Sequence, residues 1–361
     1  MIMIIDLIVG ARPNFVKIVN LLKLLDADKF FKVRLIHTGQ HYANNLSDIF
    51  FKQLNIRNPD FNLKSGSGSQ SFQTAKIMLN YEKILKKNKS NYTIVVGDVN
   101  STLACSLVAK KFGIKVIHIE SGLRSYDISM PEEINRIVTD SITDIFFTTS
   151  IEAKKILISE GKNIKNIYFV GNTMIDTLKL NEQKLIKPVF FDNLNLSKIK
   201  YLVVTMHRPS NVDNIIIFEK ILKNLNSFTK KIKIIFSYHP RISKIIKKLK
   251  LKYKNIIFIK SLSYLEFNYL VKKSNGVITD SGGITEETTY FKIPCITMRN
   301  STERPETINI GSNILINNNF KKLSSNVDKI IKNKWKKSFI PNKWDGNSSF
   351  RIYKVLKRIC I

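Results

Sequence analysis

Three acidic residues stand where an α/β chain does acid–base work. Asp98 follows the apolar run 93–96 across a single glycine, and Glu120 directly follows the run Lys115–Ile119. Glu132 opens a helical pattern behind Pro131 in Met130-Pro131-Glu132-Glu133-Ile134-Asn135-Arg136. Open α/β sheets place their chemistry just outside the carboxyl ends of parallel strands, and such a sheet brings these ends to one edge. Carboxylates gathered there can serve as general acids and bases. Plainer readings stand beside this one. Asp98 or Ser101 can cap a helix, and Glu132 with Arg136, four apart on one helical face, can form a surface salt bridge worth well under about 1 kcal/mol.

A second set of residues suits an anion. In TDSGGITEETTYFKIPCITMRNSTERPE, residues 279–306, an apolar strand breaks at Asp280-Ser281-Gly282-Gly283 and turns into a helical run with Glu286 and Glu287 in its first turn. Adjacent glycines let the backbone approach a ligand, and the N–H groups and positive end of the helix, about half a unit charge, favour phosphate. Glu287 is placed to hold a sugar hydroxyl. Arg304, in the loop after the strand 295–298, is placed to reach the same phosphates with its planar fork. An ordinary βα turn that needs glycine only for geometry is the alternative. At the start of the chain, Gly10-Ala11-Arg12-Pro13 ends a strand and opens a helix that carries Lys17. Arg12 and Lys17 can pair with phosphate there, or the segment is a simple helix start. It is not the GxGxxG fingerprint, so nothing in it argues for a nicotinamide dinucleotide.

The elements that must hold these residues alternate strand and helix throughout. Strands are expected at 2–9, 33–38, 93–96, Lys115–Ile119, 144–148 and 167–170 in the first half, and at Tyr201–Thr205, 232–237, 256–259, Gly276–Thr279 and 295–298 in the second. Ser65 to Ser71 (SGSGSQS) reads as a flexible loop. Between about 180 and 200 the pattern loosens into a linker rich in Lys and Asn. The expectation is an α/β fold of two Rossmann-like, doubly wound domains facing each other across a cleft, 1–180 and 181–347, with a last helix at 348–361 packing back on the first.

Composition narrows the classes. Hydrophobic residues make up 43% of the 361, and no apolar run approaches the roughly 20 residues needed to span a bilayer. A soluble, cytoplasmic protein without a membrane partner is expected. Cys105, Cys295 and Cys360 have no paired or metal-ligand spacing and read as reduced and structural, so no metal is expected. The net charge of +31 is spread as lysine pairs along helical faces, which reads as solvated surface rather than a nucleic-acid stripe. The less numerous arginines are the informative cations, because an ammonium cannot replace a guanidinium at a two-pronged site.

Taken in order, GARPNFVKI, TGQHY, GDVNSTLA, HIESGLRS, MPEEINR, VGNTMIDTL, MHRPSNVD, HPR, TDSGGITEE and TERPE resemble the motifs of the non-hydrolysing UDP-N-acetylglucosamine 2-epimerases, from about residue 8 to 315. The resemblance implies a GT-B-like fold, usually a homodimer, that interconverts UDP-N-acetylglucosamine and UDP-N-acetylmannosamine with no cofactor. It implies a UDP and substrate site of Arg12, Lys17, Arg136, Phe267, Ser281, Gly282, Gly283, Glu287 and Arg304, with Asp98, Glu120, Glu132 and His207 as catalytic groups. Bacterial members bind a second UDP-N-acetylglucosamine as activator near a Gln-His after the second strand. Gln40 and His41 stand there, although the following Tyr42-Ala43-Asn44-Asn45 differs. Other departures are Val99 and Ser121 where threonine and alanine are usual, and Phe291-Lys292-Ile293-Pro294, which lacks a glycine often found there. None removes a proposed catalytic group. Relatives on the same scaffold act on UDP-sugars modified at other carbons, and these motifs suit them as well.

Overall fold

The short runs of Val, Ile and Leu form strands buried on both faces, and every strand pairing among the described residues is parallel. The computed structural model describes residues 2–39, 53–239, 242–249, 252–317 and 319–360. Contacts divide the chain into two units, Met1–Leu180 with Asn342–Ile361, and Asn181–Pro341.

The first unit holds β1 (Met3–Val9), β2 (Phe31–His37), β3 (Phe61–Asn62), β4 (Tyr92–Val96), β5 (Lys115–Ile119), β6 (Ile145–Thr148) and β7 (Ile167–Phe169), in the order β3-β2-β1-β4-β5-β6-β7. The central strand β1 carries Asp6 into the core. Arg34 on β2 neutralises it at 2.6 and 2.9 Å, and the Tyr81 hydroxyl donates to it at 2.7 Å. The helix Ser348–Cys360 closes this unit. Its first amides, of Ser348 and Ser349, donate to Asp176 at 3.0 and 2.5 Å, and Tyr353 donates to Asp28 at 2.8 Å.

The second unit holds β8 (Tyr201–Thr205), β9 (Lys233–Tyr238), β10 (Ile256–Lys260), β11 (Gly276–Thr279), β12 (Cys295–Thr297) and β13 (Asn313–Leu315), in the order β10-β9-β8-β11-β12-β13. Clusters of apolar side chains pack on both faces of this sheet, one around Phe218, Phe236 and Ile278 and one around Tyr201, Val277 and Leu270.

Two strands lie outside the sequence expectation. β3 is two exposed residues and β13 is three with a polar start, both too short to show a period. The SGSGSQS stretch is also shorter as a loop than expected. The Ser69 hydroxyl accepts the Phe72 amide at 3.2 Å, so the helix Gln70–Lys87 begins inside it. All three cysteines are free, and no helix among the described residues is long and apolar enough to cross a membrane.

Candidate functional site

In the first unit, β4 and β5 are neighbours, and their ends deliver two of the three carboxylates. Gly97 turns the chain beyond β4 with φ of +71°. A Cβ at Gly97 would lie 3.3 Å from both Lys17 Nζ and Glu120 Oε2, so this turn packs directly on their ion pair. Lys17 comes from the helix Arg12–Asp26, and its partner Glu120 is only 2% exposed. Glu120 itself has φ of +71°, a left-handed conformation that costs a side-chain-bearing residue about 1 kcal/mol or more and that gathers at functional sites.

Asp98 meets a different cation. Arg136 Nη2 donates to Asp98 Oδ2 at 2.7 Å, and Asn135 Nδ2 donates to the Asp98 main-chain oxygen at 2.8 Å. Asp98 is therefore not the cap of the following helix Asn100–Lys111, and Ser101 is not either. The N-cap is Val99, whose side chain makes no capping bond. The expected Glu132–Arg136 pair is also replaced. On the helix Pro131–Ile142, Glu133, Arg136 and Asp140 share the buried face, and Arg136 pairs with Glu133 as well as with Asp98. Glu132 is half-buried on the neighbouring face and makes no ion pair among the described residues.

A buried network fixes the loop that carries Glu120. His118, on β5, meets Asp140 at 2.7 Å through Nδ1 and the Gly97 carbonyl at 2.8 Å through Nε2. The second Asp140 oxygen accepts the Gly122 amide and Arg124, whose remaining N–H groups pair with Glu160. Burial pushes the Asp140 carboxyl up, but His118 and Arg124 outweigh it and hold the group below its ordinary value.

In the second unit, the residues after β8 and β11 converge on Asp280. This carboxylate is fully buried and accepts the amides of His207 at 3.1 Å and Arg208 at 3.0 Å and the side-chain amide of Asn211 at 3.0 Å. His207 Nδ1 stands 3.1 Å from it, with the ring half exposed. Burial raises the Asp280 carboxyl, yet His207, Asn211 and the Arg208 amide bring it below the usual range. The helix Gly282–Phe291 starts behind Ser281, its N-cap, with no side chain capping it. A Cβ at Gly282 would lie 2.9 Å from Glu303 Oε1, and Glu303 is itself held by Arg299 at 2.8 Å.

Three expectations change here. Glu286 and Glu287 sit one turn deeper than the sequence reading placed them, because the helix begins at Gly282. Arg304 is buried and pairs with Glu286 at 2.5 Å, with Glu306 at 3.8 Å. Glu287 is buried beside Asn268 at 3.3 Å, and burial lifts its carboxyl to about 8, with Glu286 adding to the rise. Ser281, Gly282 and Gly283 are half-buried at the helix start, and Phe267 is half-buried against the apolar cluster beneath it. Arg12 is the first residue of its helix. Gln40 and His41 lie outside the described residues. Among the described residues no group of His, Cys, Asp and Glu is arranged to hold a metal ion. Sequence reasoning missed Glu133, Asp140 and the organising role of Asp280. Only Asp280 carried a signal, its place directly before the two glycines.

Two wholly parallel, doubly wound sheets, one with carboxylates at its strand ends and the other with a glycine-rich helix start, define a GT-B-like α/β protein. Comparison with known proteins gives the finer grouping. The chain belongs to the UDP-N-acetylglucosamine 2-epimerase family, whose model matches residues 23–357. A UDP-N-acetylglucosamine 2-epimerase homolog of Methanococcus maripaludis is 42% identical over 98% of this chain and 99% of its own length. The UDP-2,3-diacetamido-2,3-dideoxy-D-glucuronate 2-epimerase of Pseudomonas aeruginosa is 36% identical over 86% of this chain and 87% of its own. Among solved structures, the Methanocaldococcus jannaschii UDP-GlcNAc 2-epimerase in complex with UDP-GlcNAc and UDP is 39% identical. It superposes with a TM-score of 0.89 over 99% of this chain and 100% of that one.

Proposed function

We propose that this protein is a non-hydrolysing UDP-N-acetylglucosamine 2-epimerase, interconverting UDP-N-acetylglucosamine and UDP-N-acetylmannosamine. The observation that carries the reading is the pair Asp98 and Glu120 at neighbouring strand ends, each carboxylate set against its own cation, Arg136 and Lys17. The C2 proton of the sugar is not acidified by a carbonyl, so direct removal is prohibitively slow. Breaking the C1–O bond to the diphosphate gives C1 oxocarbenium character and loosens that proton. A carboxylate then takes the proton, and the C–H electron pair becomes the C1=C2 bond of 2-acetamidoglucal, with UDP as the leaving group. On return, an acid protonates the opposite face of C2 and the UDP oxygen re-adds to C1. One group cannot serve both faces, so two of Asp98, Glu120 and Glu132 are required.

In this reading the departing diphosphate is stabilised by Arg12, His207, the N–H groups at Ser281, Gly282 and Gly283, and Arg304, while Phe267 and Glu287 hold the nucleoside. No electron is transferred, so the reaction makes no call on a nicotinamide. The assembly proposed is a homodimer located in the cytoplasm, and light scattering reads the first of these.

Incubation with UDP-N-acetylglucosamine in D2O tests the reaction. Deuterium is expected at C2 of both recovered nucleotide sugars, and unlabelled sugar after prolonged incubation sinks the reading. Accumulation of free UDP and N-acetylmannosamine instead marks a hydrolysing enzyme. A second reading is supported by the Pseudomonas relative, whose name specifies a diacetamido glucuronate. Under it, a panel of UDP-sugars read by proton NMR at C2 shows preference for a substituted sugar.

A further inference from the structure

We infer that Glu133 is a positioning residue for Asp98, acting through Arg136 so that one Asp98 oxygen stays free for proton transfer. The inference rests on the proposed role of Asp98 at C2. Glu133 lies on the buried face of the helix Pro131–Ile142, next to the half-buried Glu132 that the motif brings forward. Its carboxylate accepts the Ser125 amide at 2.9 and 3.0 Å, the Tyr126 amide at 2.8 Å and Arg136 Nη1. Those donors hold the buried group ionised. Burial pushes its carboxyl up, and the two amides and Arg136 bring it below the ordinary value.

The consequence falls on the guanidinium. Arg136 is 2% exposed, and its two terminal nitrogens go to different carboxylates, Nη1 to Glu133 and Nη2 to Asp98. A guanidinium left to a single carboxylate favours the two-pronged arrangement that occupies both oxygens. Glu133 takes one prong, so Asp98 receives only the other, on Oδ2. Asn135, on the same helix, holds the Asp98 main chain, and Asp98 Oδ1 makes no hydrogen bond among the described residues. The side chain is 29% exposed. Glu133 thus leaves Asp98 aligned and open at one oxygen, and one helix supplies both grips.

A merely structural Glu133 would do no more than tie down the Ser125–Tyr126 turn. Glu133→Gln separates the roles, because its amide oxygen still accepts main-chain N–H groups while its lost charge releases Arg136. Wild type, Glu133→Gln, Asp98→Asn and the double variant are compared for C2 deuterium exchange, KM, UDP affinity by calorimetry and melting temperature. Exchange in Glu133→Gln is expected to fall about 100-fold, the cost of misplacing a reacting group by about 1 Å. KM and UDP affinity should stay within about twofold. In the Asp98→Asn background the same change should cost no more than about twofold, because its target is already gone. Undiminished exchange, or a full second loss on top of Asp98→Asn, overturns the inference. If Glu133→Gln does not fold, Glu133→Asp, which keeps the charge but draws it back from Arg136, carries the same two arms. Wild type without exchange removes the functional reading and this inference with it, whereas an active wild type with an unaffected Glu133→Gln removes this inference alone.

Discussion

The Asp280 carboxylate accepts the main-chain amide of His207 at 3.1 Å and faces the Nδ1 of the same residue at 3.1 Å, so one buried group sets both the backbone and the ring of His207. Asp280→Ala strips acceptors from the His207 and Arg208 amides and from Asn211 together. That change is expected to cost about 3 kcal/mol or more in denaturant unfolding. Asp280→Asn keeps one acceptor oxygen and should fold, while UDP affinity measured by calorimetry drops about tenfold as His207 loses its anchor. Unchanged affinity in a folded Asn variant would detach Asp280 from the nucleotide.

The carboxylates of the first unit predict a graded series. Asp98→Asn, Glu120→Gln and Glu132→Gln should each lower turnover about 100-fold or more. They should differ in stability. Glu120→Gln removes the ionised partner of the largely buried Lys17, whereas Glu132 has no ion pair to lose among the described residues. Melting temperature should therefore fall for Glu120→Gln and barely change for Glu132→Gln. Wild-type rates from all three would remove the acid–base assignment.

Arg304 behaves differently in the structure from a free phosphate ligand. Its guanidinium is 2.5 Å from Glu286, and both side chains are 3% exposed. Arg304→Ala leaves Glu286 as a buried charge deprived of this partner, so a loss of about 3–5 kcal/mol in stability is expected alongside weaker UDP binding. Adding Glu286→Gln should recover much of the stability and none of the affinity. If Arg304→Ala melts like wild type, the pair is not a structural one.

Which of these relationships the sequence discloses follows from their range. β1, β4, β5, β8 and β11 are legible because buried parallel strands are nearly continuous apolar runs, and Asp98, Glu120 and the Ser281-Gly282-Gly283 turn are legible because they stand at those strands' ends. The helix Pro131–Ile142 misleads instead. Its Ile134 and Ile137 are exposed while Glu133, Arg136 and Asp140 are buried. Burying ionised groups is tolerable only because Asp98, Ser125 and His118 reach them from other parts of the chain, and periodicity within one helix contains no trace of that. The same holds for Arg304, whose position was readable but whose partner Glu286 was not.

The absent glycine after the helix Gly282–Phe291 has a measurable cost. Lys292 ends that helix with φ of +57° and ψ of +29°, donating its amide to Thr288 and Thr289. This left-handed stop is where glycine is favoured, since a Cβ there costs roughly 1 kcal/mol. The Lys292 side chain is exposed, so removing it gives up little. Lys292→Gly is expected to raise stability by about 0.5–1 kcal/mol, read as a shift of roughly one to three degrees in melting temperature, with turnover unchanged. A lower melting temperature would show that the lysine contributes more than its backbone strain costs.

Glu287 gives the protein a pH dependence of definite sign. Burial beside Tyr264 and Asn268, with Glu286 adding its charge, places the folded carboxyl at about 8 against an ordinary value of 4.5. Between these values the folded chain holds a proton that the unfolded chain has released. Linkage then makes this contribution to stability greatest below about pH 4.5 and has it decline as pH rises towards about 8. Melting temperature across that window should fall less steeply in Glu287→Gln, whose side chain is neutral at every pH. If the two slopes coincide, Glu287 is ionised in the folded protein. The same proton bears on binding. A neutral carboxyl can donate one hydrogen bond to a ribose oxygen and accept another, whereas the carboxylate only accepts. UDP affinity in the wild type should therefore change on crossing about pH 8, and in Glu287→Gln it should lack that inflection.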